Sequence, residues 1–168
     1  CGKVITLQQN AQIITIQYFI MSNHTFDIFL CYTRKDNTVA RLLSNEFQLS
    51  GAINVFDEAS IDSGEDYANQ IVTAIRQSKA MVVLCSADSE YSRWIHNEIA
   101  YAINLNIPII PILLGDYQLS GRLELLLSKK VSLQYTYNVT SVIEITNSLI
   151  NVLQNIYSQE IQNFDIDC

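Results

Sequence analysis

The chain is 168 residues long, 49% hydrophobic and only 16% charged, which excludes global disorder and supplies enough apolar material for one domain with its own core. Ten basic residues against seventeen acidic ones give a formal net charge of −7, the wrong sign for a phosphate-backbone footprint, so no nucleic-acid partner is expected. No apolar run reaches the roughly eighteen residues of a membrane span, so no membrane partner is expected, and four cysteines without paired spacing suggest neither a zinc site nor a disulfide framework.

In chain order, residues 1–23 read as an N-terminal extension without an assigned role. They lack the basic start and long apolar core of a signal peptide, and Met21 is a candidate start within them. Residues 25–32 form a short, nearly continuous apolar run ending in Cys31 and Tyr32, as a parallel strand covered on both faces requires. After a polar break at 33–37, Val39, Ala40, Leu42, Leu43, Phe47 and Leu49 mark a helix that stops at Gly51. Residues 52–56 read as a second strand, 57–66 as an acidic loop containing Gly64, and 67–77 as a helix with Ile71, Val72 and Ile75 inward. Residues 80–85 are the clearest buried strand. Cys85 within it, like Cys31, reads as a small buried hydrophobe of a reducing compartment, so a cytoplasmic location is expected.

The stretch Ser92-Arg93-Trp94-Ile95-His96-Asn97-Glu98 opens the next helix, with apolar positions 95, 99, 102, 103 and 105 at helical spacing. Trp94 and Glu98, four residues apart, share one face one turn from each other. A flat ring beside a carboxylate suits a nucleotide, the ring stacking on a base and the carboxylate meeting a ribose. Taken alone, the pair has a plainer reading: Trp94 anchors the helix and Glu98 is solvated. His96 reads as a surface histidine.

Residues 107–114 read as a strand whose two prolines place it near a sheet edge. Residues 115–130 are irregular with one helical turn, and 131–135 form a last short strand. Residues 142–157 are a helix, and 158–168 a polar tail or linker. Strands alternating with helices about five times call for an α/β, flavodoxin-like three-layer fold, a five-stranded parallel sheet with helices on both faces. Ligands in such sheets bind beyond the carboxyl ends of the strands, where Tyr32, Thr33, Arg34 and Asp57 fall.

Several uses of this architecture are excluded by motif. The five glycines form neither GxGxxG nor a P-loop, no GxSxG elbow occurs, and two histidines are too few for most metal or triad schemes. The first and third strands end in Cys31-Tyr32 and Cys85-Ser86 rather than in the acids of a phospho-receiver.

The run from Phe26 through Tyr32-Thr33-Arg34-Lys35-Asp36 resembles the first signature of TIR (Toll/interleukin-1 receptor) domains, especially bacterial ones. Val55-Phe56-Asp57 and Ile61-Asp62-Ser63-Gly64 resemble their second strand and following loop. Residues 80–86, the Trp94-to-Glu98 helix and the strand from Ile107 resemble the strand, WxxxE helix and next strand of the NAD-cleaving members. Five motifs lie in register across residues 24–157, which are taken as the TIR-like domain.

That resemblance implies an NAD⁺ glycohydrolase that cleaves the nicotinamide–ribose bond to give nicotinamide and ADP-ribose or a cyclic isomer. It implies Glu98 as the catalytic carboxylate, stabilising the positive charge that builds on the ribose. Trp94, Tyr32, Thr33, Arg34, Asp57 and Asp62 are implied as substrate contacts, with no metal and no cofactor, NAD⁺ being the substrate. Some members carry Arg where this chain has Thr33 and Glu where it has Asp62, which leaves Arg34 more of the grip on the pyrophosphate. Self-association through TIR–TIR contacts, a fused or separate sensor, and a role in bacterial antiviral defence or signalling are further implications. The alternative is a non-enzymatic TIR adaptor acting by homotypic assembly; a third reading is a hydrolase or transferase acting on another N-glycoside.

Overall fold

The structure, a computed structural model, describes residues 24–58, 61 and 66–164. Asp62 and the 1–23 extension lie outside the described residues. The elements follow in order: β1 (Phe26–Cys31), a 3₁₀ turn (Arg34–Asp36), α1 (Asn37–Leu49), β2 (Val55–Asp57), α2 (Tyr67–Arg76), β3 (Ser78–Cys85), a second 3₁₀ turn (Ser89–Tyr91), α3 (Arg93–Asn104), β4 (Ile109–Leu114), α4 (Gly121–Leu127), β5 (Leu133–Tyr135) and α5 (Val139–Phe164). The five strands pair in parallel in the order β2-β1-β3-β4-β5, the doubly wound arrangement the alternating pattern requires.

Period-2 alternation divides the strands between two cores. Ile28, Leu30, Ala80, Val82, Leu84, Ile110 and Ile112 pack with α1 and α5, while Phe29, Cys31, Met81, Val83 and Cys85 pack with α2, α3 and α4. Both faces of the central strands are therefore apolar, which is why their sequences read as continuous hydrophobic runs. The chain reverses its winding between β1 and β3, so a crevice opens beyond the carboxyl ends of these two strands.

Local chemistry sets the boundaries. Gly51, at φ +67°, terminates α1, and Ser92 caps α3 by accepting a hydrogen bond from the Ile95 N–H at 3.4 Å. The strand bearing the prolines stands second from the edge: β5 is three residues long and pairs with β4 only from Ile112 onward, one residue after Pro111. The segment expected to be irregular contains α4 (Gly121–Leu127), two turns rather than one. The last helix begins at Val139, not at 142, because the Asn138 side chain accepts from the Ser141 N–H at 2.7 Å. It runs to Phe164 through what was expected to be a polar tail, since no Gly or Pro interrupts it.

The start of α4 is clamped by Glu90, which accepts from the Tyr117 hydroxyl at 2.7 Å and from the Arg122 N–H at 2.9 Å. Gly121 lies under that carboxylate with φ +51°, and a Cβ there would stand 2.4 Å from Glu90 Oε1. Gly121→Ala is expected to lower stability by about 1–2 kcal/mol through the left-handed backbone alone, measured by chemical denaturation.

Candidate active site

The site lies on the α2–α4 side of the sheet, beyond the end of β1. Alternation along β1 sends Phe29 and Cys31 to that side and Tyr32 to the other. The Cys31 thiol donates to Glu98 Oε2 at 2.9 Å. Glu98 is only 4% exposed, so the solvated reading of this carboxyl does not hold: α3 turns it inward onto the end of β1. Its other oxygen, Oε1, is buried with no hydrogen-bond partner.

Glu98 borders a cavity of about 260 Å³ between α2 and α3. Ala68, Ile71, Val72 and Ile75 form one wall, and Trp94, Asn97, Glu98 and Tyr101 the other. Tyr101, whose hydroxyl is a second buried polar atom without a partner, lines the same cavity. Buried polar groups are ordinarily satisfied, so two unmatched ones beside one apolar hollow describe a place for a ligand that carries its own polar groups.

Trp94, 42% exposed, stands at the mouth. Its indole Nε1 donates to Glu58 Oε1 at 3.0 Å, and the Tyr67 hydroxyl donates to the same oxygen at 2.8 Å. The two rings lie 5.8 Å apart, tilted by 34°. Glu58 was not among the residues expected from sequence, though a signal for it existed. Register pairs Phe29 with Phe56 and Leu30 with Asp57, so the next residue after Asp57 returns to the Phe56 side, which is also the Glu98 side.

Tyr32 and Asp57 are brought together, but away from Glu98. The Tyr32 ring packs in the α1–α5 core, and its hydroxyl donates to Asp57 Oδ1 at 2.7 Å. The Thr33 hydroxyl donates to Asp36 Oδ2 at 2.8 Å, and the Ser86 hydroxyl to the same oxygen at 2.7 Å, so Asp36 ties the end of β1 to the end of β3. Arg34 is exposed at the first 3₁₀ turn, and its charge acts on Tyr67. His96, expected at the surface, is instead buried: burial first, then the charge of Arg122, holds its imidazole below the ordinary value, and Nε2 has no partner. Among the described residues no group of three or more His, Cys, Asp or Glu side chains could hold a metal ion, and no helix is long and apolar enough to cross a membrane.

Electrostatics follow from this packing. Burial first, then the charge of Glu58, pushes the Glu98 carboxyl up to about 8, with the Cys31 thiol and Trp94 partly offsetting the rise. Burial and then Glu98 push the Cys31 thiol well above its ordinary range, so it acts as a hydrogen-bond donor rather than a thiolate. With Oε2 accepting from the thiol, the proton of a neutral Glu98 belongs on Oε1, where the Glu58 carboxylate helps to hold it. Because the folded protein holds this proton more tightly than the unfolded chain, stability is greatest below the ordinary glutamate range and declines as pH rises towards about 8. Glu98→Gln, which keeps the shape and cannot ionise, is expected to be more stable than the wild type at pH 9 by roughly 2–4 kcal/mol. The gain should vanish near pH 4, as read by thermal or denaturant unfolding at both pH values.

A family model described as TIR domain matches residues 28–141. Over 98 residues, 53% of this chain, the sequence is 33% identical to NAD(+) hydrolase sarm1 of Drosophila melanogaster, and the match spans 7% of that relative's length. The fold is similar to the TIR domain of the Toll-related receptor TRR-2 from Hydra magnipapillata, with a TM-score of 0.60, 24% identity, and coverage of 79% of this chain and 98% of that one. It is also similar to a metazoan TIR-STING receptor from C. gigas solved in complex with 2',3'-cGAMP, with a TM-score of 0.63, 21% identity, and coverage of 74% of this chain and 39% of that one. With the family model matching more than half of its residues, the chain belongs to the TIR-domain family.

Proposed function

We propose that this TIR domain is an NAD⁺ glycohydrolase with Glu98 as its catalytic carboxylate. The observation that carries the reading is the buried Glu98 carboxyl, anchored through Oε2 to Cys31 and leaving Oε1 unmatched at an apolar cavity edged by the Trp94 ring. The partial sequence match to a Drosophila NAD(+) hydrolase supports it.

The nicotinamide of NAD⁺ is a cationic pyridinium. Arriving over Glu98, it favours the ionised carboxylate, and the proton that burial retains passes to solvent. As the bond between the ribose C1′ and the pyridine nitrogen breaks, the bonding pair leaves with neutral nicotinamide, and positive charge passes to the ribose. A fixed carboxylate in a water-poor cleft stabilises that charge more than the ground state. Water then adds its oxygen to C1′ and releases a proton to give ADP-ribose; capture by an adenine nitrogen instead gives a cyclic isomer. Trp94 supplies a stacking surface at the mouth, Arg34 and Thr33 line the approach beyond β1, and Asp62 is a further proposed substrate contact. Tyr32 and Asp57 support that rim from the other face of the sheet.

The bacterial affinity of the WxxxE signature, a place in antiviral defence, a cytoplasmic setting, a sensor partner and self-association through TIR–TIR contacts belong to this same proposal. Exposed apolar side chains favour one part of the adaptor reading, homotypic assembly: Leu125 and Val139 are each 81% exposed.

NAD⁺ turnover at high protein concentration, with products resolved by chromatography and mass, tests the proposal. Wild type should release nicotinamide, and Glu98→Ala should lose the activity by a factor of about 10² or more, in line with removal of a transition-state electrostatic contact. If neither protein releases nicotinamide even under crowding that forces assembly, the adaptor reading takes its place.

A further inference from the structure

One side chain bonds Trp94 and places its charge against Glu98, the two groups on which the proposed chemistry depends. Glu58 leaves β2 towards the α2–α3 cleft, where a single oxygen, Oε1, accepts from the Trp94 indole and from the Tyr67 hydroxyl. That oxygen ties α2 to α3 across the mouth of the cavity. Around Glu98 stand Cys31 from β1, Glu58 after β2, Tyr67 from α2, and Trp94 and Tyr101 from its own helix, with Arg34 beyond Tyr67. The two ion pairs among the described residues, Lys35–Asp88 and Lys79–Asp27, involve neither carboxyl group. The cleft therefore sets two acids side by side without a cation bonded to either of them among the described residues.

Resting on the glycohydrolase reading, we propose that Glu58 is a positioning and specificity-determining residue for this site. It fixes Trp94 and Tyr67 as one aromatic wall, and its charge beside Glu98 leaves the cleft short of one positive charge. A cationic pyridinium N-glycoside supplies that charge; a neutral purine or pyrimidine nucleoside does not. The charge of Glu58 beside Glu98 disfavours the ionised form of Glu98, so Glu98 holds a proton that it gives up to solvent when the cationic ring arrives. A wall that served only to stack a base would need the Glu58 hydrogen bonds but not its charge. Substituting the charge and the acceptor separately distinguishes the two roles.

Trp94 is the single tryptophan of the chain, so its emission reports on this cleft whether or not the protein turns over NAD⁺. Emission is followed against pH in the wild type, Glu58→Gln, Glu58→Ala and Glu98→Gln, with nicotinamide release measured over the same range. Glu58→Gln keeps an oxygen for the indole and phenol, so the emission maximum should hold while the midpoint of the transition moves down by about one pH unit or more. The acid limb of nicotinamide release should move with it. Glu58→Ala should also displace the emission maximum to the red and raise KM, and Glu98→Gln should abolish the transition. A Glu58→Gln midpoint equal to that of the wild type, or a transition that survives in Glu98→Gln, would overturn the proposal. A displaced midpoint with no nicotinamide from any form would sink the glycohydrolase reading and the cationic preference, while upholding the hold of Glu58 on Trp94 and Glu98.

Discussion

The buried contact between the Cys31 thiol and Glu98 is the interaction around which this site is built. A carboxyl 96% removed from solvent is costly unless it is paired or neutral, and a single weak thiol donor at 2.9 Å pairs only half of it. The rest of the arrangement follows from satisfying that one group. The strand order places the end of β1 next to the end of β3, and the 3₁₀ turn after β3 delivers α3 across the crevice. Ser92 caps the helix so that its first turn presents Trp94 outward and its second turns Glu98 inward. A shift of one residue in β1 would exchange Cys31 for Tyr32 at the site and remove the donor.

The same parity divides the labour at the strand ends. On the Glu98 side stand Cys31, Phe56 and Glu58; on the other, Tyr32 and Asp57 bond to each other against the α1–α5 core. Between them Asp36 accepts from both Thr33 and Ser86, fastening the two strand ends at the point where the winding reverses. The residues that follow β1 thus fasten the crevice, while the chemistry proposed here belongs to groups one residue out of phase with them. Glu90 does the equivalent service in the turn just before α3, where its hydrogen bonds with Tyr117 and Arg122 seat α4 beside the buried His96.

The five buried parallel strands and the Trp94–Glu98 pairing were legible because both depend on local periodicity: continuous apolar runs for strands buried on two faces, and a four-residue interval for one helical face. The burial of Glu98 was not legible. A helical wheel puts it at the margin of the apolar stripe, and only the arrival of β1 from elsewhere in the chain closes that margin with a thiol. Asp57 drew attention over Glu58 because it ends the strand. Counting outward from Phe56, which stacks on Phe29 at 5.6 Å, would have chosen the neighbour instead. His96 looked solvent-facing for a comparable reason: α3 supplies one side of its pocket, and the Ser89–Tyr91 turn and α4 supply the others. The start of the final helix depended on Asn138, a capping residue that carries no hydrophobic period and so leaves no mark on a periodicity reading.

Burial links the two consequences of Glu98. The low-dielectric surroundings that push its ionisation up to about 8 also weaken the screening of any charge that forms beside it. With no counter-charge bonded to it among the described residues, the carboxylate is a liability here, and burial together with Glu58 holds the group neutral. With a cationic ring in the cavity the same surroundings become favourable, because the ring supplies the counter-charge that the chain does not. A solvated glutamate at this position would ionise freely and stabilise the fold more at neutral pH, yet it would meet a developing ribose cation through water and do little for it. The stability given up by burying Glu98 and the transition-state stabilisation proposed for it are therefore two readings of one desolvation.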